Sequence, residues 1–158
     1  MARSLEDENK ALVERYFGAI ASGDFDLLES LMAPDLHFRC AGGTGAADSV
    51  VFHSPAELRR DLERSFGDLF DPAVGLKPEI LWILAEGDRV AAEVRIRGRS
   101  SRSGESYDNL YAFFFWIEDG RFREIHEHLD TSYVERVVLR PAGIRSGAEM
   151  PWLGESDD

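Results

Sequence analysis

The first third of the chain places apolar residues three and four positions apart, the spacing of helices that bury one face. Residues 5–21 show this spacing, and Ser22-Gly23-Asp24 ends the helix and caps the next one. A second, short amphipathic helix stops at Ala33-Pro34-Asp35. The third begins at Ser54-Pro55, with proline in the first helical position. We therefore predict three N-terminal helices.

Beyond Asp71-Pro72 the pattern changes to an alternation of apolar and polar residues, which is typical of strands that bury one face. A short strand at residues 36–40 precedes this region, and a helix at residues 131–139 follows it. The alternating segments are residues 77–85, Arg89–Arg99, 107–117 and 122–130. Helices followed by antiparallel strands indicate an α+β domain, so we predict a curved antiparallel sheet wrapped around the three helices.

A chain of 158 residues is typical of one domain, which we expect to span residues 1–140. Residues 141–158 contain glycine and proline and end in acidic side chains. Chain ends of this kind are poorly ordered unless other contacts hold them. We expect this tail to be loosely ordered or to pack on a partner.

The turn at residues 118–120, Glu-Asp-Gly, sets the register of the last two strands and so decides which side chains share a face. We favour a three-residue loop with Gly120 in the left-handed conformation, which places Ile117 opposite Arg121. The pairing then continues as Phe113 with Ile125, Tyr111 with Glu127 and Asn109 with Leu129. A two-residue turn would instead slip the pairing by one position. The aromatic face would then receive His126, His128 and Asp130.

Glu127 is the candidate for chemistry, because the favoured register places it on the aromatic face between Ile125 and Leu129. The other members of that face are Asn109, Tyr111, Phe113 and Phe115. Removal of water from a carboxyl group raises its pKa, and a glutamic acid that titrates near neutral pH can both give and accept a proton. The alternative is a structural glutamate hydrogen-bonded to Tyr111 or Tyr16.

The formal charge of −12 argues against nucleic acids and acidic membrane surfaces as partners, because both would repel the chain. Cys40 is the single cysteine, so no internal disulfide can form, and we expect a reducing, cytoplasmic location. The sequence contains no apolar run long enough to cross a membrane. These observations favour a cytoplasmic protein.

Two histidines near the end of the last strand raise the question of a metal site. His126 and His128 alternate on one strand face with Glu124 and Asp130, a spacing that permits metal binding. Nothing in the sequence brings the other two histidines near them, namely His37 and His53. We therefore expect surface histidines and no metal ion.

Three segments carry a family resemblance. They are RYFGAIASGDFDLLESLMAPDLHF from Arg15, DNLYAFFFWIEDGRF from Asp108 and HEHLDTSYV from His126. Together they resemble the nuclear transport factor 2-like superfamily, and within it the SnoaL-like and ketosteroid isomerase-related proteins. The resemblance implies a cone-shaped α+β barrel. It leaves the activity open, because this fold supports isomerases, dehydratases, epoxide hydrolases, polyketide cyclases and non-catalytic binding modules.

Several positions depart from the enzymes of that superfamily. Cys40 stands where the steroid isomerases have their aspartate base, and a phenylalanine near Phe113 stands where they have a protonated aspartic acid. The epoxide-hydrolase-like branch has an arginine and an aspartate where this chain has Val94 and Ile96. Neither of these two mechanisms is therefore expected here.

Two positions match functional groups of the superfamily. Tyr16 matches the phenol of the steroid isomerases' oxyanion hole. Glu127 matches the last-strand carboxylate of the epoxide-hydrolase-like branch and the acid/base glutamate of the phenazine-biosynthesis A/B proteins. The resemblance thus implies that Glu127 is the acid/base group and that Tyr16 or Asn109 polarises a ligand oxygen.

We therefore expect a cofactor-independent isomerase, cyclase or dehydratase that acts on a largely apolar metabolite. The alternative is a non-catalytic ligand-binding or dimerisation module of the same fold. Besides Tyr16 and Glu127, the expected pocket residues are Phe38, Cys40, Leu62, Phe66, Asn109, Tyr111 and Phe113. An apolar row on the opposite strand face predicts a homodimer, and it consists of Leu110, Ala112, Phe114 and Trp116.

Overall fold

A computed structural model describes residues 4–42, 49–145, 147–151 and 153. Its first helices are α1 (Leu5–Ser22), α2 (Phe25–Ser30) and α3 (Pro55–Arg64). α1 begins after Ser4, whose side chain accepts a hydrogen bond from the backbone N–H of Asp7, and it ends at Gly23 with φ 68°. A wider helical turn, Ser65–Leu69, continues α3. The three predicted helices are confirmed, but the second ends at Ser30 and not at Ala33-Pro34-Asp35, because the first strand already begins at Met32.

The helices lie against one six-stranded sheet, whose order is β2-β1-β6-β5-β4-β3. Its strands are β1 (Met32–Cys40), β2 (Val50–Phe52), β3 (Lys77–Glu86), β4 (Arg89–Arg99), β5 (Ser106–Glu118) and β6 (Arg121–Leu129). Neighbouring strands are antiparallel except β1 and β6, which run parallel. The sheet is curved and unclosed, so the predicted α+β architecture is confirmed, with one parallel pair and the short strand β2 as additions.

The core fills the space between the concave face of the sheet and the helices. Tyr16 of α1 packs edge-on against Phe115 and Phe122, with ring centroids 5.6 Å and 5.4 Å away. Aromatic pairs in this arrangement gain stability beyond the burial of their area. β4 contributes a buried row, as its alternation predicts: Val90, Ala92, Val94 and Ile96. The inner face of the sheet is therefore apolar along most of its length.

The hairpin between β5 and β6 differs from the predicted loop. Glu118 pairs with Arg121, so only Asp119 and Gly120 form the turn. Their φ angles are 50° and 69°, and positive φ at both central residues defines a type I′ turn, for which Asp-Gly is a preferred sequence. The predicted three-residue loop is wrong.

A β-bulge restores the predicted faces. Ile117 pairs with Phe122, but Trp116 pairs with Glu124, so Arg123 is an extra residue in β6. From there Phe113 faces Glu127 and Tyr111 faces Leu129, two positions away from the predicted partners. A two-position difference preserves the side of the sheet. The predicted composition of the aromatic face, with Glu127 on it, is therefore confirmed.

The bulge has a physical reason in the sequence of β6. Without it, the two-residue turn would send Glu124, His126 and His128 into the core. With it, Ile125 is fully buried and Leu129 packs against the core, while those polar residues stay on the outer face. Burial of apolar side chains is favourable, and burial of unpaired polar groups is costly. Both effects favour the bulged register.

The C-terminal segment packs on the domain itself. α4 (Thr131–Val134) begins after Asp130, whose side chain accepts a hydrogen bond from the backbone N–H of Tyr133, and a wider turn, Glu135–Leu139, continues it. Ile144 is buried, and Gly147 and Met150 contribute to the wall of an internal cavity. The described part of the tail therefore contacts its own domain, and its packing on a partner stays a prediction. Residues 146, 152 and 154–158 lie outside the described part. None of the described helices combines the length and the hydropathy that a membrane span requires.

Candidate active site

A cavity of about 160 Å³ lies between the concave face of the sheet and helices α1 and α3. Its wall is mostly apolar and includes eight of the expected pocket residues: Tyr16, Phe38, Cys40, Leu62, Phe66, Tyr111, Phe113 and Glu127. Strands β1, β5 and β6 and helices α1 and α3 supply these side chains. The fold therefore brings together most of the residues that we predicted for the pocket. Glu127 is the acidic residue that the sheet contributes to this wall, among the described residues.

Glu127 lies in the wall of this cavity, half-buried, opposite Phe113 of β5 and Cys40 of β1. Burial raises its pKa to about 7. The thiol of Cys40 opposes this shift by hydrogen bonding to the carboxylate, whereas the negative charge of Asp61 adds to it. A carboxyl group of this kind is present in both protonation states at neutral pH, which is the property that proton transfer requires.

Cys40 acts on Glu127 and not as a nucleophile. Burial, and then the nearby charge of Glu127, raise the pKa of the Cys40 thiol well above its ordinary value. The thiolate is the nucleophilic form of cysteine, so a thiol that stays protonated is unreactive. Cys40 is therefore a small hydrophobic residue with one weak hydrogen-bond donor, which lies 3.5 Å from the backbone carbonyl of Ala41 and also interacts with the carboxylate of Glu127.

Tyr16 presents a phenol to the same cavity. Only 1% of the residue is exposed, and burial followed by the charge of Glu127 raises the pKa of its hydroxyl well above the ordinary value. The hydroxyl consequently stays protonated across the physiological pH range. A protonated phenol in an apolar wall can donate a hydrogen bond to a ligand oxygen.

Asn109 lies behind the cavity wall and not on it. Its side-chain amide donates to the hydroxyl of Tyr107 at 3.1 Å and to the backbone carbonyl of Asp130 at 3.2 Å. The hydroxyl of Tyr107 is in turn 2.6 Å from that of Tyr111, which reaches the cavity. In this arrangement Asn109 orients the tyrosine pair, and the predicted direct contact with a ligand stays a prediction.

The comparison with known proteins decides the family. The profile of the SnoaL-like domain matches residues 13–125, which is more than half of the chain. The chain belongs to the SnoaL-like family. No curated protein matches it significantly. The family assignment agrees with the sequence resemblance, and it does not by itself name a substrate.

Solved structures with the same fold are numerous and distant in sequence. A candidate SnoaL-like polyketide cyclase from Jannaschia sp. CCS1 is 19% identical with a TM-score of 0.70, covering 87% of this chain and 96% of its own. An LEH-like epoxide hydrolase from M. tuberculosis is 20% identical with a TM-score of 0.66, covering 87% and 94%. An NTF2-like protein from Burkholderia xenovorans LB400 is 19% identical with a TM-score of 0.66, covering 84% and 96%. At such identities the likeness shows the nuclear transport factor 2-like fold alone.

One carboxylate of this SnoaL-like domain was missed in the sequence. Asp61 of α3 lies in the cavity wall, where its charge raises the pKa of Glu127. Helical spacing contained the signal, because Asp61 is three residues after the buried Leu58 and four before the buried Ser65. A prediction from apolar positions alone does not find a polar residue, such as Asp61, on the buried side of a helix.

The histidines also differ from expectation. The prediction that His37 lies apart from His126 is wrong, because their ring centroids are 6.3 Å apart. The cause is the parallel pairing of β1 with β6, which places His37 opposite Glu124. The ring of His53 contacts that of His37, with centroids 5.7 Å apart. This cluster lies on the outer face of the SnoaL-like domain, on the other side of the sheet from the cavity.

Proposed function

We propose that this SnoaL-like protein is a cofactor-independent enzyme that moves a proton on a small, largely apolar molecule, as an isomerase, cyclase or dehydratase does. One observation carries the proposal: Glu127, with a pKa of about 7, lies in the wall of an apolar cavity beside protonated phenols. A carboxyl group poised at neutral pH and hydrogen-bond donors suffice for such proton transfers. Solved structures of the same fold are named as a candidate SnoaL-like polyketide cyclase and an LEH-like epoxide hydrolase, which also favours small-molecule chemistry.

In the proposed step, the Glu127 carboxylate accepts a proton from a carbon atom next to a ligand carbonyl group. The electron pair of the broken C–H bond forms a carbon–carbon double bond, and the π electron pair of the carbonyl group moves onto its oxygen, where negative charge develops. Tyr16 donates a hydrogen bond to that oxygen, and the protonated Glu127 then returns the proton to another atom of the ligand. Donors held in place before the reaction stabilise such charge without reorganisation.

The size of the cavity limits the ligand. A volume of about 160 Å³ is close to the ~150 Å³ of an apolar cavity that admits benzene. The ligand portion near Glu127 therefore corresponds to roughly one ring. The wall is mostly apolar, and two of its polar residues, Cys40 and Asp61, interact with Glu127, so one polar substituent on an otherwise apolar ring fits best.

We also propose that the protein forms a homodimer through the outer face of the sheet. The exposed apolar side chains on this face are Trp82, Leu84, Leu110 and Phe114. The strand register aligns two of them, because Phe114 pairs with Ala91 and Ala91 with Leu84. An exposed apolar patch on a sheet favours association with a self-complementary copy.

Hydrogen exchange tests the proton-transfer proposal without knowledge of the natural substrate. The protein is incubated in D₂O with a panel of one-ring and two-ring ketones, and deuterium incorporation is followed by mass spectrometry. We expect at least one ketone to exchange faster with the protein than in buffer. Glu127→Gln should reduce this rate by about 100-fold or more while changing ligand affinity only a few-fold, because it removes the base and preserves the shape.

A matched control is Glu118→Gln, which alters an exposed carboxylate of β5 at the far end of the hairpin. It should retain the wild-type exchange rate. Ketones that bind without any accelerated exchange would instead support the alternative, a ligand-binding module. Exchange that persists in Glu127→Gln would remove this residue from the mechanism.

A further inference from the structure

Outside the cavity, three side chains with metal-ligating atoms meet on the outer face of β1 and β6. They are His37, Glu124 and His126, and their ligating atoms all lie within 4.8 Å of one another. We propose that these three residues bind a divalent transition-metal ion, with Zn²⁺ as the first candidate. This site is distinct from the proposed active site, since the sheet separates the two.

The backbone fixes the relative positions of the three residues. Glu124 lies opposite His37 in the parallel β1–β6 pair, and His126 is two positions further along β6, on the same face. Nε2 of His126 is 2.6 Å, and Nδ1 of His37 is 3.8 Å, from the same oxygen of Glu124. With Zn–N and Zn–O bonds of about 2.0–2.2 Å, tetrahedral ligand atoms stand roughly 3.3–3.5 Å apart. Side-chain rotations alone can therefore close the cluster around an ion.

The ligand types agree with this ion. Two imidazoles and one carboxylate form a set found at zinc sites that keep a fourth position open. The side chains of His37 and Glu124 are 43% and 36% exposed, so water and a metal ion can reach them from solvent. Imidazole also suits copper and nickel, and the carboxylate favours a divalent over a monovalent ion.

Arg39 determines which ring nitrogen of His126 carries the proton that a metal ion must displace. Its guanidinium is 3.1 Å from Nδ1 of His126, and because arginine can only donate, Nδ1 is the acceptor. The ring proton is then on Nε2, which donates to Glu124. A metal ion bound at Nε2 takes the place of this proton, which moves to Nδ1 by way of solvent, so Nδ1 can no longer accept from Arg39 and Arg39 has to turn away. Arg39 therefore competes with the ion, and its removal should strengthen binding.

The test uses the full-length chain, freed of affinity tag and treated with EDTA. Zn²⁺ is titrated calorimetrically, and Co²⁺ is added in a parallel sample, because its visible absorption reports tetrahedral coordination. We expect one ion per chain with a dissociation constant in the micromolar range or below. His37→Asn and Glu124→Gln should each weaken binding at least 10-fold, and Arg39→Met should strengthen it several-fold.

His128→Asn is the matched control, since His128 lies on the same face of β6 but outside the cluster. It should change the affinity less than two-fold. Both ligand variants alter partly exposed side chains, and circular dichroism confirms that they fold. Binding weaker than millimolar, or equal binding by wild type and Glu124→Gln, would overturn the proposal. Weaker binding by Arg39→Met would equally contradict the site, because it would make Arg39 a supporting residue and not a competitor.

Discussion

The two faces of strand β6 carry the same kind of acid in opposite surroundings. Glu127 points to the inside, where an apolar cavity surrounds it and burial raises its pKa to about 7. Glu124, three residues earlier, lies on the outside, where it accepts a hydrogen bond from His126 at 2.6 Å. One strand therefore presents a carboxyl group suited to proton transfer on one side and a carboxylate suited to binding a cation on the other.

The comparison shows that the environment, and not the residue type, sets the role. A carboxyl group without a cationic partner in an apolar site favours its neutral form. A carboxylate beside imidazoles at the surface can accept hydrogen bonds and bind metal ions. The bulge at Arg123 creates this division, because it decides which glutamate faces which side.

The largest expected effect comes from placing a charge on the inner face. Ile125 is fully buried, and Ile125→Asp removes its packing and buries a carboxylate among apolar side chains. The free energy of unfolding should fall by about 4 kcal/mol or more, enough to unfold much of the protein. Urea denaturation monitored by circular dichroism measures this change. A loss below about 1 kcal/mol would mean that this face is not the core.

The matching change on the outer face is Phe114→Asp. Phe114 is 42% exposed, so the substitution should leave the fold intact and lower the stability of the monomer by about 1 kcal/mol or less. It should abolish the proposed dimer, because it places like charges in a self-complementary interface. Light scattering should then give 17.8 kDa for the variant and twice that mass for the wild type. A monomeric wild type would contradict the proposed interface.

A smaller effect concerns pH and isolates Glu127. Its pKa is about 7 in the folded protein against an ordinary value of 4.5, so between these values the folded state holds a proton that the unfolded state lacks. This contribution is complete below about pH 4.5 and is lost as the pH rises through about 7. The side chain that Glu127→Gln introduces cannot ionise, so the variant does not lose stability in this way as the pH rises.

The variant and the wild type should therefore be about equally stable near pH 5. Near pH 8 the free energy of unfolding of the variant should exceed that of the wild type. The two pKa values set an upper limit of about 3 kcal/mol on this difference, and the contact of the carboxyl group with solvent reduces it below that limit. Urea denaturation at both pH values measures the difference. Parallel pH profiles of the two proteins would show that the Glu127 carboxyl group ionises as freely in the folded chain as in water.

Local sequence patterns predicted the architecture and the face of Glu127, because periodicity reports burial. They also contained the register, which we predicted wrongly. Asp119-Gly120 is a preferred type I′ sequence, and the spacing of three between Phe122 and Ile125 allows both to face inward only with a bulge between them. The shorter turn and the bulge each shift the pairing by one position, so together they leave every side chain on its predicted face. The predicted face of Glu127 was therefore right, whereas its predicted partner, Tyr111, was wrong.

The rest depends on contacts between distant segments. The histidine cluster forms because β1 pairs in parallel with β6. The two strands are far apart in the sequence: Arg39 of β1 and its partner His126 of β6 are separated by 87 residues. No local pattern reports that pairing. Local patterns also do not predict that Met150 contributes to the cavity wall. The packing of a tail depends on the surface that the other elements create.

The smallest expected effects act on Glu127 through its two polar neighbours and have opposite signs. Cys40→Ala removes a donor that favours the charged carboxylate, so the pKa of Glu127 should rise. Asp61→Asn removes a negative charge that disfavours it, so this pKa should fall. Each shift should be about one pH unit or less, and NMR of ¹³C-labelled glutamate side chains can resolve it. Since both substitutions leave the apolar wall in place, shifts of the same sign would mean that changes in burial, and not these two neighbours, control the acid.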